Sequence, residues 1–388
     1  MLLFHLPDEY LWGMGAWVVV GFALLFAILK LRRWRRRRGA RPMFLNFAIS
    51  LWMVLALVTG VELYFALFRD TTDAFNQTNV SRRWFTIHAD AQAKTLEFSD
   101  TEKLPYRESR PVTPDVGEDR RRFVFLGDSF TFGHGIENIQ DRFTNRFEAR
   151  MNEVGATDCE VANLAWAGTE LHWANAVAKK LIADRYVMDT LVYVMCLNDI
   201  ESFTGEGSPY ANIGEHSPDA DPFLARYKLT PFFSKTYFLN TLYFRVKQLR
   251  TPELRNYYGS IGKEYKGEPW QRMIRVLDEM KAACDRNKTR FVIVVFPFLH
   301  NLGEPNNPFE PAHNAIATYG AAARVPVLDL RDALLPHVDD GLTLNSLDAH
   351  PNQRAHELAA EALFQFFQTV PDFQASQSDG TVGAEIVK

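Results

Sequence analysis

This chain of 388 residues has only three cysteines, and the familiar metal and nucleotide signatures are missing from it. Cys159, Cys196 and Cys284 form an odd set without metal-ligand spacing, and two of them lie in apolar runs. That pattern argues against a disulfide framework and for buried free thiols, although a single pairing stays open outside the cytoplasm. No His-Glu-X-X-His pair occurs, so no metal centre is expected, and no phosphate-cradling loop occurs. A Gly-X-Ser-X-Gly elbow is also absent, which argues against the α/β-hydrolase fold. No cofactor is expected, and no internal repeat is seen.

Charge is absent from two N-terminal stretches, 11–29 and 43–61, each about long enough to cross a bilayer as a helix. Between them lies Lys30-Leu-Arg-Arg-Trp-Arg-Arg-Arg-Arg-Gly-Ala-Arg41. So basic a short loop is held on the cytoplasmic side, which places the N-terminus and everything after residue 69 across the membrane. A cleaved signal peptide followed by a core helix is the alternative, but it requires positive charge before the apolar run, and here the charge follows. Residues 1–69 hold 9 of the 43 Lys and Arg and 3 of the 47 Asp and Glu, leaving 34 against 44, or −10, for residues 70–388. An acidic soluble part repels phosphate backbones, so no nucleic-acid partner is expected. The arginines serve topology and anionic lipid headgroups instead.

The expected organisation is a transmembrane hairpin at 1–69, a juxtamembrane connector at 70–118, a globular domain at 119–370 and a disordered tail at 371–388, rich in Ser, Gly and Gln. Within the domain, apolar strand-like runs occur at 123–126, 159–164, 191–197, 291–296 and 325–330. Amphipathic stretches at 142–154, 170–183, 270–287, 311–323 and 351–367 separate or follow them. Strands without in/out alternation, spaced by helices, predict a five-stranded parallel sheet covered on both faces. Residues 201–268 exceed a simple crossover and read as an aromatic insertion over one edge of the site, with a helix near 236–250. Such an insertion serves as a lid or substrate wall, or is merely decorative.

In an open parallel sheet, ligands gather outside the carboxyl ends of the strands. The first run, Phe123-Val-Phe-Leu, breaks into Gly127-Asp128-Ser129, which places the Ser129 hydroxyl at that rim and at the start of a helix. Gly168 follows the second run, where the lack of a Cβ lets a backbone N–H approach a ligand, and Asn198 ends the third run with a side-chain amide. The N–H groups of Ser129 and Gly168 and the Asn198 amide would form an oxyanion hole for a tetrahedral acyl intermediate. A serine hydroxyl is a poor nucleophile without a base. His350, in Leu347-Asp348-Ala-His350-Pro-Asn352, is the candidate base, with Asp348 to hold its tautomer and orientation.

These four blocks resemble those of the SGNH hydrolase superfamily, the GDSL-type esterases and lipases, over residues 120–370. The resemblance implies a flavodoxin-like three-layer α/β/α fold, Ser129 as nucleophile, Gly168 and Asn198 as oxyanion donors, and Asp348 with His350 completing the triad. One departure stands out: many members place the acid three residues before the histidine, where this chain has Leu347.

Blander readings accompany each block. Gly-Asp-Ser alone is a common turn, and Asn198-Asp199 also fits an Asx turn. Asp128 and Asp199 read as structural hydrogen-bond acceptors. His134, five residues after Ser129, reads as a surface or packing histidine, with reach to a substrate as the alternative, and His172, His300, His313, His337 and His356 have no comparable context. Three functions fit: a membrane-anchored serine esterase acting on an ester-bearing small molecule, an acylated cell-envelope glycan or a lipid; an O-acyltransferase to a polysaccharide hydroxyl; and a binding module on an inactive scaffold. The expected location is the bacterial inner membrane, with the catalytic domain on the periplasmic or extracellular side.

Overall fold

The computed structural model describes residues 5–39, 43–117, 120–154, 158–205, 217–250 and 257–370. The chain divides into two compact units, Met1–Ile87 with Asn212–Arg255, and His88–Ala211 with Asn256–Lys388. The tail at 371–388 and parts of the 201–268 stretch lie outside the described residues.

The second unit is built on a five-stranded parallel sheet: β1 (Arg120–Gly127), β2 (Asp158–Asn163), β3 (Thr190–Cys196), β4 (Arg290–Phe296) and β5 (Val327–Asp329). Their spatial order is β2-β1-β3-β4-β5, the flavodoxin-like doubly wound order. Register is set by pairs such as Phe123 with Val161, Gly127 with Val194 and Val194 with Val294. Every residue of β3 is buried, as an apolar run without alternation requires. On one face, helix Phe143–Glu153 and the last helix, Gln353–Thr369, cover β1 through edge-to-face contacts of Phe123 with Phe147 and Phe367. Each such ring contributes about 1.5–3 kcal/mol by leaving water. On the opposite face, helices Leu171–Ala183 and Glu268–Arg286 pair with each other, joined at their surface by Lys179 and Glu279. The fifth strand, Val327–Asp329, is shorter than its apolar run, with the Pro326 carbonyl and the Leu330 N–H bonded to β4 at its two ends.

Two hairpins were not legible as strands. Ala93–Glu97 pairs antiparallel with Lys103–Arg107, and carries Leu96, Leu104 and Tyr106 into the same core as the sheet. Thr343–Asn345 pairs with Asp348–Pro351, which makes the Asp348–His350 block a strand rather than a loop. The three cysteines are free and buried.

In the first unit, helices Asp8–Arg37 and Met43–Leu67 are long and apolar enough to cross a membrane. They run antiparallel, as Trp17 donates to Thr59, Trp52 to the Gly21 carbonyl and Arg32 to Asn46. Their apolar side chains face outward while Glu62 is buried. The Glu62 carboxylate accepts from the Tyr10 hydroxyl at 2.9 Å and from the Tyr237 and Phe238 N–H groups at 2.7 and 2.8 Å. These last two begin helix Phe238–Arg250, so Glu62 caps it from 175 residues away. The helix expected at 236–250 therefore exists, and it packs within the unit of the N-terminal helices.

Candidate active site

Ser129 opens a four-residue helix, Ser129–Phe132, directly after β1. Asp128 caps that helix by accepting the Phe130 N–H at 2.9 Å, and Gly133 ends it at φ 79°. Gly127 is required by close approach. A Cβ there would stand 2.7 Å from the Val194 carbonyl oxygen of β3 and 2.4 Å from Thr131 Oγ1.

The Asp348–Pro351 strand delivers the imidazole. His350 Nε2 lies 2.7 Å from Ser129 Oγ, and its Nδ1 lies 2.5 Å from Asp348 Oδ1. The same Asp348 oxygen accepts the His350 backbone N–H at 3.1 Å, so the two-residue spacing lets one carboxylate hold both ends of its histidine. An Nδ1–H donated to Asp348 leaves the Nε2 lone pair facing the serine hydroxyl.

The contacts of His134 with Asp348 and His350 are what reading the sequence missed. His134 is not a mere packing residue at a distance from the chemistry: its ring stacks on His350 with centroids 4.0 Å apart and planes 13° apart. Its Nε2 lies 3.3 Å from Asp348 Oδ2, and only 3% of the residue is exposed. Asp348 thus sits between two imidazoles. Burial alone would raise its carboxyl, yet His350 and His134 together hold it far below the usual carboxylate range. The only signal in the sequence was its position five residues beyond Ser129, following Gly133.

A different environment lies at the ends of β1 and β3. Burial pushes Asp128 up to about 6. Burial, with Asp128 nearby, raises Asp199 well above its ordinary value, and the Tyr193 hydroxyl donates to Asp199. Both acids thus have hydrogen-bonding roles here.

Gly168 and Asn198 occupy the same rim, after β2 and β3. The loop carrying Gly168 is tied to β1 by the Thr169 hydroxyl, which donates to the Gly127 carbonyl at 3.0 Å, and by Trp166, whose ring meets Phe132 edge-on at 5.1 Å. Gly168 has φ +80°, and a Cβ on it would meet nothing within 4 Å. Left-handed backbone, rather than crowding, is why glycine stands there. Asn198 Oδ1 is buried without a hydrogen-bond partner among the described residues. That oxygen can only accept, so any donation to an oxyanion would have to come from the Nδ2–H groups of the same amide.

The other histidines are engaged elsewhere. His313 pairs with Asp329 at 2.9 Å, His172 leans on Phe203, and His337 meets Asp340. His356 accepts the Phe143 N–H, and burial with Arg142 nearby pushes its imidazole down to about 3. His134, Asp348 and His350 bring ligand-type atoms within 4.8 Å of one another. Asp348 Oδ1 is bonded to His350 Nδ1, and His350 Nε2 is turned to Ser129. A groove between helices Glu268–Arg286 and Glu310–Ala323, lined by Trp270, Ile274 and Ala315, includes none of these residues.

Residues 125–358 match the GDSL-like lipase/acylhydrolase family, more than half of the chain. The chain belongs to that family. It is accordingly a hydrolase acting on ester bonds. No curated protein matches it significantly. Among solved structures, a lipolytic G-D-S-L family member from Veillonella parvula is 12% identical, over 64% of this chain and 100% of that one, with a TM-score of 0.38. A psychrotrophic esterase from Pseudoalteromonas sp. is 9% identical, over 64% and 97%, with a TM-score of 0.38. A two-domain esterase active on acetylated mannans is 12% identical, over 69% and 52%, with a TM-score of 0.37. These likenesses are distant, and membership of the GDSL-like family rests on the match over 125–358.

Proposed function

We propose that this GDSL-family hydrolase cleaves a carboxylic ester through an acyl-enzyme on Ser129. The observation that carries the reading is the 2.7 Å contact of His350 Nε2 with Ser129 Oγ, with Asp348 on the far side of the imidazole. His350 Nε2 takes the hydroxyl proton as Oγ attacks the ester carbonyl, and the carbonyl electrons move onto oxygen. The N–H groups of Ser129 and Gly168 and the Asn198 amide stabilise that oxyanion. Collapse expels the alcohol, which takes the proton from His350. Water, deprotonated by the same nitrogen, then releases the acid and restores Ser129. Asp348 stabilises the imidazolium throughout, and His134 secures the second oxygen of Asp348.

The two apolar helices anchor the chain in a membrane, with the Arg-rich loop cytoplasmic and residues 70–388 across the bilayer, in the periplasm or outside the cell. An acylated envelope glycan or a lipid is the substrate class that such an anchor favours. Full-length protein in detergent should label with a fluorophosphonate, and Ser129→Ala should lose both the label and p-nitrophenyl acetate turnover, by about six powers of ten. Labelling that persists in Ser129→Ala would overturn the assignment. Analysis of products from acetylated glycans separates release of free acid from transfer to a sugar hydroxyl.

A further inference from the structure

None of the residues assigned to this chemistry belongs to the first unit. Helix Phe238–Arg250 buries Asn240, Tyr243 and Phe244, while Leu242, Val246 and Leu249 stand exposed. Their i, i+4, i+7 spacing makes them a single stripe. The short helices Pro222–Arg226 and Thr230–Ser234 add exposed Phe223, Tyr227 and Phe232. Leu249 is 71% and Phe223 63% exposed, more than an aqueous surface comfortably presents together.

Three observations say what covers them. The uncharged run 43–61 ends at Glu62, and Glu62 holds the first N–H groups of helix Phe238–Arg250. That helix therefore starts at the level of Glu62, the one charged residue of the second apolar helix. Lys235 pairs with Glu9, at the start of the first helix and on the same end of the hairpin. Rings of Tyr10, Tyr237, Tyr64 and Phe65 gather at this level, as aromatic side chains do at a membrane boundary. Charge adds the third observation. Residues 217–250 carry Arg226, Lys228, Lys235, Arg245, Lys247 and Arg250 against Asp219 and Asp221, whereas residues 70–388 as a whole are acidic.

We infer that residues 222–250 form an interfacial segment that enters the headgroup region of an anionic bilayer. Its exposed apolar side chains meet the acyl boundary, and Arg226, Lys228 and Arg250 meet lipid phosphates, whereas Lys235 and Lys247 are paired with Glu9 and Asp221. Each basic residue near such a surface contributes about fivefold to partitioning. The inference rests on the membrane-spanning reading of the two N-terminal helices.

Full-length protein in phosphatidylcholine vesicles, with or without phosphatidylglycerol, tests it. Spin labels are placed singly by Leu249→Cys, Phe223→Cys and, within the second apolar helix, Val54→Cys; the three native cysteines are buried and stay unlabelled. Collisions with oxygen and with a water-soluble nickel chelate report depth. The expected result is lipid exposure at all three sites, shallower at 249 and 223 than at 54. Adding Arg226→Gln, Lys228→Gln and Arg250→Gln should reduce the lipid-exposed population at 249 in phosphatidylglycerol vesicles, and barely change it in pure phosphatidylcholine. Nickel access at 249 and 223 with lipid exposure at 54 overturns the interfacial segment and leaves the membrane spans intact. Nickel access at 54 overturns both. Immobilised labels shielded from both reagents overturn it in favour of a second protein copy on this face.

Discussion

Asp348 and Asp128 are both buried, and both sit against the loop that carries Ser129, yet their carboxyls are driven in opposite directions. Asp348 meets two imidazoles and stays ionised, whereas Asp128 shares a buried rim with Asp199 and is pushed up to about 6 by burial. Burial opposes ionisation at both places, and the neighbours decide the outcome. Between them the two regions separate an acid suited to stabilising an imidazolium from acids suited to holding loop geometry.

The sharpest way to break this contrast is Asp348→Asn. It keeps the volume and removes the charge and the tautomer control, so esterase turnover should fall by about four powers of ten. A loss under tenfold would show that another acid serves His350. Next in size is His134→Ala, which removes one charge-assisted contact on Asp348; kcat should fall between about tenfold and a hundredfold, with KM unchanged. His134→Gln, which can still donate to Asp348, should recover most of the loss. Equal damage from both variants, in KM as well as kcat, would reduce His134 to packing.

The smallest effect concerns Asp128. Because its folded pKa lies above the unfolded value of about 4, its proton favours the folded state at low pH, and that contribution is lost as pH rises through about 6. Asp128→Asn keeps the oxygen that caps Phe130 and removes the ionisation. It should raise Tm by several degrees at pH 8, corresponding to about 2 kcal/mol, and leave it unchanged at pH 4. A lowered Tm at both pH values would mean that the carboxylate itself is needed at the cap.

Much of the site was readable because its parts obey local rules. A buried strand such as β1 announces itself as an uninterrupted apolar run, and the break at Gly127-Asp128-Ser129 marks where it surfaces. Asp348 and His350 are close in sequence, so their contact is nearly a local property. The contacts of His134 were not readable, since stacking on a ring 216 positions away leaves no periodic trace in the chain. The hairpin Ala93–Glu97 with Lys103–Arg107 was hidden for a related reason: its short strands mix Lys, Pro and Arg among the residues they bury.

The sequence by itself determined the alternation of strands and helices, the order of the four blocks and the two long charge-free runs, because each follows from the period or the length of a local apolar pattern. Tertiary structure alone decided that Asp348 is held ionised between two imidazoles while burial outweighs the neighbours of Asp128. It also decided that Glu62 caps a helix beginning at Phe238. Those outcomes depend on which distant side chains share a desolvated space, where a partner's charge or N–H outweighs anything encoded nearby.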